Sequence, residues 1–185
     1  MDVDLNNMVF YFKGHFNATI ENPNDSSQEY DLYECVAAQD IGNSSYGTPG
    51  DAWDNCLAQT AQYGGLSAVQ SIVKGATPFT CPRFGKWWKV LRRTRVRIPS
   101  NGHVNFDMST KGTWTYEKFS NKYAIKGITK SLLIVSRPMY GNKASIDPYT
   151  ECIVNVNKWF KYYLPGGGSF DPSGAPMSHA NIITP

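Results

Sequence analysis

At 185 residues, with 41% hydrophobic and 14% aromatic content, the chain has the length and apolar material for one domain around one core. Its 11 Pro and 16 Gly exclude long uninterrupted helices and favour short strands joined by long loops. A net charge of +3 conceals a polarity: residues 1–80 hold Lys13 and Lys74 against ten acids, a net −8, and residues 81–185 hold sixteen bases against five acids, a net +11. Either strands of the two halves interleave and neutralise one another, or one side of the molecule is acidic and the other basic. The second arrangement suits a shell subunit facing nucleic acid or an acidic neighbour.

No apolar stretch approaches the roughly 20 residues of a membrane helix. The opening Met1-Asp2-Val3-Asp4 is acidic, unlike a signal peptide, so a soluble protein without membrane association is expected. Cys35, Cys56, Cys81 and Cys152 lie far apart without a CxxC pair, which points to buried thiols rather than a zinc site or a disulfide framework.

Met8 to Glu21 reads as a strand, with Phe10, Phe12, Phe16, Ala18 and Ile20 on its apolar face. The turn formers Asn22-Pro23-Asn24-Asp25-Ser26-Ser27 follow, and Gln28 to Ala38 resumes as a strand, so the pair is predicted to form a hairpin. Gln39 to Thr80 reads as a long excursion, with weak helical spacing over Asp51 to Gln62 and Leu66 to Val73. Phe84 to Ile98 is predicted as a strand. Strict alternation puts Trp88, Val90, Arg92, Thr94, Val96 and Ile98 on one face and Leu91, Arg93, Arg95 and Arg97 on the other.

Pro99-Ser100-Asn101-Gly102 supplies a turn, with Asn-Gly suited to positive φ, before a strand over His103 to Met108. Another strand-rich stretch begins at Thr113. Lys130 to Tyr140 contains Leu132-Leu133-Ile134-Val135, the mark of a strand covered on both faces. Thr150 to Leu164 sets Cys152, Val154 and Val156 on one face ahead of the aromatic cluster Trp159, Phe160, Tyr162 and Tyr163. Residues 165–185 are Gly-rich and aperiodic and read as an extended tail. About seven strands without βαβ alternation predict one all-β domain over 1–185, an antiparallel β-sandwich or barrel with one or two short helices.

The order of these segments resembles the capsid proteins of circular Rep-encoding single-stranded-DNA viruses, the circovirus-like group. The resemblance is carried by the Phe10 to Ala38 segment with its Asn22-Pro23-Asn24 tip and by Thr77-Pro78-Phe79. Lys86-Trp87-Trp88-Lys89-Val90-Leu91-Arg92-Arg93, Ile98-Pro99-Ser100-Asn101-Gly102 and Ser136-Arg137-Pro138 complete it. It implies an eight-stranded viral jelly roll that self-assembles into a small icosahedral T=1 shell of about 60 copies around a circular single-stranded DNA genome. It also implies residence in the virion, assembly in the host nucleus and an unidentified host attachment factor. Members of the group usually open with a long Arg/Lys-rich arm, whereas this chain opens with an acidic segment. Either such an arm precedes Met1 or packaging differs here; the first alternative also accounts for one early strand that the count of about seven lacks against eight.

The basic segment supplies the candidate site. Lys86, Lys89, Arg92, Arg93, Arg95 and Arg97 offer ammonium and guanidinium groups to phosphate oxygens, with Trp87 and Trp88 beside them to stack bases. The alternative is an inter-subunit strand whose arginines pair with the acids of residues 1–80 in a neighbouring copy. Trp159, Phe160, Tyr162 and Tyr163 are candidate subunit-interface residues beside the Gly-rich tail, against the plainer reading as core.

His15, His103 and His179 are too scattered to suggest a metal site, and no GxSxG, HExxH, Walker A or GxGxxG pattern occurs. Asp51 and Asp54, like Asp2 and Asp4, read as solvated acids of loop-like or terminal stretches. No catalytic residue, metal or cofactor is therefore expected. The competing reading is a carbohydrate-binding β-sandwich with Trp and Tyr as sugar platforms, and an enzyme on the same fold comes third.

Overall fold

The computed structural model describes residues 9–59, 75–115, 118, 121–137 and 152–163. Among them are six strands: β1 (Val9–Glu21), β2 (Gln28–Ala37), β3 (Trp88–Ile98), β4 (His103–Thr115), β5 (Lys130–Arg137) and β6 (Ile153–Tyr163). Two helices, α1 (Pro49–Gln59) and the single turn α2 (Phe84–Trp87), lie between β2 and β3. All pairing is antiparallel, in two three-stranded sheets ordered β4-β1-β6 and β3-β2-β5, so the predicted all-β sandwich is the fold.

β1 alternates, with Ala18 and Ile20 buried and Tyr11 and Lys13 exposed, and so belongs to a sheet with one wet face. β2 is buried along Tyr30–Ala37 and needs cover on both faces. Tyr30 and Leu32 pack with Ile20, Ile98, Phe106 and Met108 between the sheets. Tyr33, Cys35 and Ala37 point the other way, under Trp53 and Leu57 of α1, Phe84 of α2 and Trp88. Burial of each large apolar side chain contributes about 1.5–3 kcal/mol. β5 is covered similarly, with Leu132 and Ile134 toward the inner core and Leu133 and Val135 toward the outer.

Several predicted boundaries and pairings change. The expected β1–β2 hairpin does not form, because the two strands lie in different sheets and meet face to face across the core. Buried Asn22 fixes the crossing: its amide donates to the carbonyls of Ser26 (2.8 Å), Ile98 (3.1 Å) and Pro99 (3.1 Å), and its backbone N–H donates to the Gly102 carbonyl (2.9 Å). One side chain thereby joins the β1–β2 turn to the β3–β4 turn. In the latter turn Asn101 has φ +54°, as the Asn-Gly pair suggests, and a Cβ on Gly102 would meet the Pro99 ring at 2.7 Å.

The segments at His103 and Thr113 are one strand, β4. β3 starts at Trp88 because Phe84–Trp87 closes a helical turn. Asp51 and Asp54 sit on α1 rather than in a loop, both exposed. Burial, with Asp51 adding to it, raises the Asp54 carboxyl above its ordinary range. The predicted helix over Leu66 to Val73 and the tail 165–185 lie outside the described residues.

The faces of β3 also differ from strict alternation. Arg92 pairs with Glu34 but Val90 pairs with the next residue, Cys35, so Leu91 is the extra residue of a β-bulge. A one-residue insertion turns every later side chain to the opposite face. Val96 and Ile98 therefore face the inner core while Trp88 and Val90 face the outer one, beneath α1.

Candidate nucleic-acid and subunit-contact surfaces

The acidic β2 lies between the basic β3 and β5, so strand pairing neutralises part of the charge polarity of the sequence. Asp31 is fully buried and accepts hydrogen bonds from Arg93 (2.9 and 3.2 Å), Arg95 (3.0 and 3.2 Å) and Arg137 (2.7 Å). Arg137 also donates to the Tyr33 hydroxyl at 3.3 Å. Burial alone would raise the Asp31 carboxyl, but the hydrogen bonds from Arg95, Arg93 and Arg137 override it and hold the group well below the usual carboxylate range. Arg93 and Arg95 remain partly exposed at side-chain values of 36% and 54%. Three cations on one carboxylate leave an excess of positive charge at this end of the sheet.

Arg92 faces inward, where its Nε lies 3.3 Å from Glu34, its Nη2 donates to the Asp107 carbonyl at 2.9 Å and its guanidinium sits 4.5 Å from the Phe106 ring centroid. It closes the β3–β4 side of the sandwich. Lys130 holds the other oxygen of Glu34 at 2.7 Å. The predicted guanidinium row is thus internally anchored at Arg92, Arg93 and Arg95, by acids of the same chain, while Arg97, Lys86 and Lys89 are exposed. Trp87 stacks on Tyr46 (centroids 4.2 Å apart, planes at 9°), with the Lys86 ammonium 5.0 Å from its ring centroid, and Trp88 is buried with its indole N–H on the Tyr46 carbonyl at 2.9 Å. Arg137, absent from the predicted site, belongs to its centre; its signal was an arginine ending a strand otherwise covered on both faces.

Among the described residues no helix or further sheet covers the outer face of β4-β1-β6. Cross-strand register sets out its rows: Asn17 with Asp107 and Asn157, His15 with Ser109 and Trp159, Lys13 with Lys111 and Lys161, Tyr11 with Thr113. Asp107 accepts from Asn17 (2.9 Å) and lies 3.3 Å from His15. Hydrogen bonding from Asn17 outweighs a small desolvation and, with His15, holds the Asp107 carboxyl below its usual range. Thr19 donates to Asn105 at 2.9 Å and Asn155 donates to Glu21 at 3.1 Å. The lysine row was illegible beforehand because its members come from three strands far apart in sequence.

Among the described strands β6 is at an edge of its sheet. Trp159 is 47% exposed and lies on His15 at 4.5 Å between centroids, on that outer face. Phe160 points inward, where the absent Cβ of Gly14 makes room for its ring, and Phe12 is 6.4 Å away. Tyr162 and Tyr163 pair through their backbones with Phe12 and Tyr11, and their side chains lie outside the described residues. On the inner side Val154 and Val156 stay 40% and 38% exposed, because the sandwich opens between β5 and β6 into a groove of about 290 Å³ walled by Phe16, Leu132, Ile134 and Phe160.

His15 and His103 lie on the outer face of β4-β1-β6, and no group of three metal-binding side chains occurs among the described residues; His179 is outside them. The four cysteines are thiols. Among the described residues no helix is long and apolar enough to cross a membrane. In comparisons with known proteins the chain matches no family model, no curated protein and no solved structure.

Proposed function

We propose that the chain is a capsid subunit of a circular single-stranded-DNA virus, a jelly roll whose function is to assemble with copies of itself around the genome. The strand order carries the reading. In an eight-stranded jelly roll the eighth, third and sixth strands adjoin in one sheet and the seventh, fourth and fifth in the other, while the first lies beside the eighth and the second beside the seventh. Taking β1 to β6 as strands three to eight gives β6-β1-β4 and β5-β2-β3, the orders found here. The places of the first and second strands then fall beside β6 and β5, where the groove opens and Val154 and Val156 remain exposed.

The fold supports the reading further through its long excursion between β2 and β3, a natural source of subunit contacts. Location in the virion, with assembly in the host nucleus, follows from the same proposal, as does a shell of about 60 copies. Light-scattering mass, negative-stain microscopy and the absorbance ratio of the purified protein test it together. Uniform closed particles carrying nucleic acid are expected, and a monodisperse monomer across salt and pH would overturn the proposal. That monomer would favour the second reading, a sugar-binding face, for which exposed Trp159, one row from Asn17 and Asp107 and on the same face as exposed Tyr11, is the motivating observation.

A further inference from the structure

We propose that Asn101 is a site of self-modification, losing its side-chain nitrogen as ammonia through attack by the Gly102 backbone nitrogen, at a rate set by the hydrogen bonds of Asn22. The inference goes beyond the capsid reading and does not depend on it.

Asn101-Gly102 is the one Asn-Gly step in the sequence. It sits in the β3–β4 turn, where Pro99, Ser100 and Asn101 are all exposed. The reaction needs these two residues and water. The Gly102 nitrogen bonds to the side-chain carbonyl carbon of Asn101, the bond from that carbon to the side-chain nitrogen breaks, and that nitrogen leaves as ammonia with the Gly102 proton. Water then opens the five-membered imide at either carbonyl. One opening gives aspartate on an unaltered backbone. The other gives isoaspartate, whose backbone runs through the side chain and is one methylene longer.

The turn demands the two residues that make this chemistry accessible. A Cβ on Gly102 would meet the Pro99 ring at 2.7 Å, so folding calls for glycine there, and glycine is also the neighbour that least hinders the approach of its own nitrogen. The φ of +54° at Asn101 favours Asn or Gly.

Asn22 supplies the restraint. The Gly102 N–H donates to the Pro99 carbonyl at 3.0 Å, and the Gly102 carbonyl accepts the Asn22 backbone N–H at 2.9 Å. The buried Asn22 amide adds bonds to the Ile98 and Pro99 carbonyls, each at 3.1 Å. A nitrogen held in this way attacks only when the turn opens, so conversion follows local opening and Asn22 governs it. The extra methylene of isoaspartate then shifts Gly102 relative to Pro99 and Asn22. Because Asn22 also holds the Ser26 carbonyl at 2.8 Å, the β1–β2 turn loosens with the β3–β4 turn.

The test is peptide mass mapping of the full chain after incubation at mildly alkaline pH, in native buffer and in urea, with aspartate and isoaspartate peptides separated by chromatography. The peptide holding Asn101 should gain about 1 Da in both, more slowly in native buffer, and Asn101→Gly should abolish the gain. Asn22→Ala should speed native conversion roughly 5- to 100-fold, the change in opening expected when a buried hydrogen-bonding group is lost. Asn24→Ala removes a side-chain donor 2.7 Å from the Asn22 carbonyl oxygen and is the milder variant, with roughly 2- to 10-fold expected. Asn101→Asp carries the new charge on a normal backbone and should keep the parent's urea midpoint, whereas isolated isoaspartate protein should unfold at lower urea.

No gain at Asn101 in native buffer while the urea-unfolded chain converts fully would overturn the proposal. Native rates in folded Asn22 and Asn24 variants equal to the parent's would do the same, as would isoaspartate protein that keeps the parent's midpoint.

Discussion

On the outer face of β3-β2-β5, Tyr33, Cys35 and Ala37 lie buried beneath α1 and its flanking turns; on the outer face of β4-β1-β6, Lys13, His15 and Asn17 stand partly or fully in water. The first sheet has its charges drawn inward, Asp31 fully buried under three arginines. The second sets Lys13, Lys111 and Lys161 in one cross-strand row. Among the described residues one sheet is covered on both faces and the other on one face only, so the first must bury both alternating sets of side chains and the second only one.

Breaking the first sheet should cost most. Deleting Leu91 removes the bulge and turns Trp88 and Val90 out of the outer core, so no cooperative thermal transition is expected; a folded deletion protein would show that the bulge does not set the faces. Replacing Leu91 by Ala, by contrast, leaves the bulge intact and should change stability by less than about 0.5 kcal/mol in urea unfolding. Asp31→Ala removes the shared counter-charge of Arg93, Arg95 and Arg137 and should cost about 3–5 kcal/mol; a loss below about 1 kcal/mol would mean that solvent already satisfies the arginines.

The pH dependence sharpens the same point. Because the folded-state carboxyl of Asp31 is depressed, its contribution is present above the ordinary carboxyl value of about 4 and is lost as pH falls toward the folded value. Urea midpoints should decline on acidification below about pH 5, and Asp31→Asn should make that decline shallower.

Among the thiols the sign reverses. Burial, with Glu34 adding to it, pushes Cys35 up to about 12, and burial with Cys81 adding pushes Cys56 up to about 11. Their contribution is present below the ordinary thiol value of about 8.5 and is lost as pH rises toward those folded values. Alkylation at mildly alkaline pH should modify half-buried Cys152 first and leave Cys35 until unfolding, as read by mass spectrometry.

A small effect is expected in the inner core. The Tyr30 hydroxyl is buried with no hydrogen-bond partner among the described residues, and burial raises it to about 12. Tyr30→Phe should therefore be neutral or gain up to about 1 kcal/mol in urea unfolding, and a clear loss would reveal a partner for the hydroxyl.

Strand existence was legible wherever pattern and burial coincide. The double cover of β5 could be read from Leu132-Leu133-Ile134-Val135, and the turn at Asn101-Gly102 from its positive φ requirement. Pairing was not legible, since β1 and β2 look like a hairpin by proximity yet β2 needs cover on both faces and β1 on one. The bulge at Leu91 leaves no mark in an apolar-basic alternation, so the faces of Trp88 and Val90 were misassigned. Of the basic site, the arginines of β3 stood out as a local run. Their counter-charge Asp31 and the lysine row depend on which strands become neighbours, which local pattern does not encode.

Electron cryo-microscopy of the purified assembly tests the central claim most directly. The account predicts a closed shell around nucleic-acid density, built of jelly-roll subunits with a further strand beside β6 and another beside β5. No closed particle under any salt or pH, or subunits without strands beside β6 and β5, would contradict it.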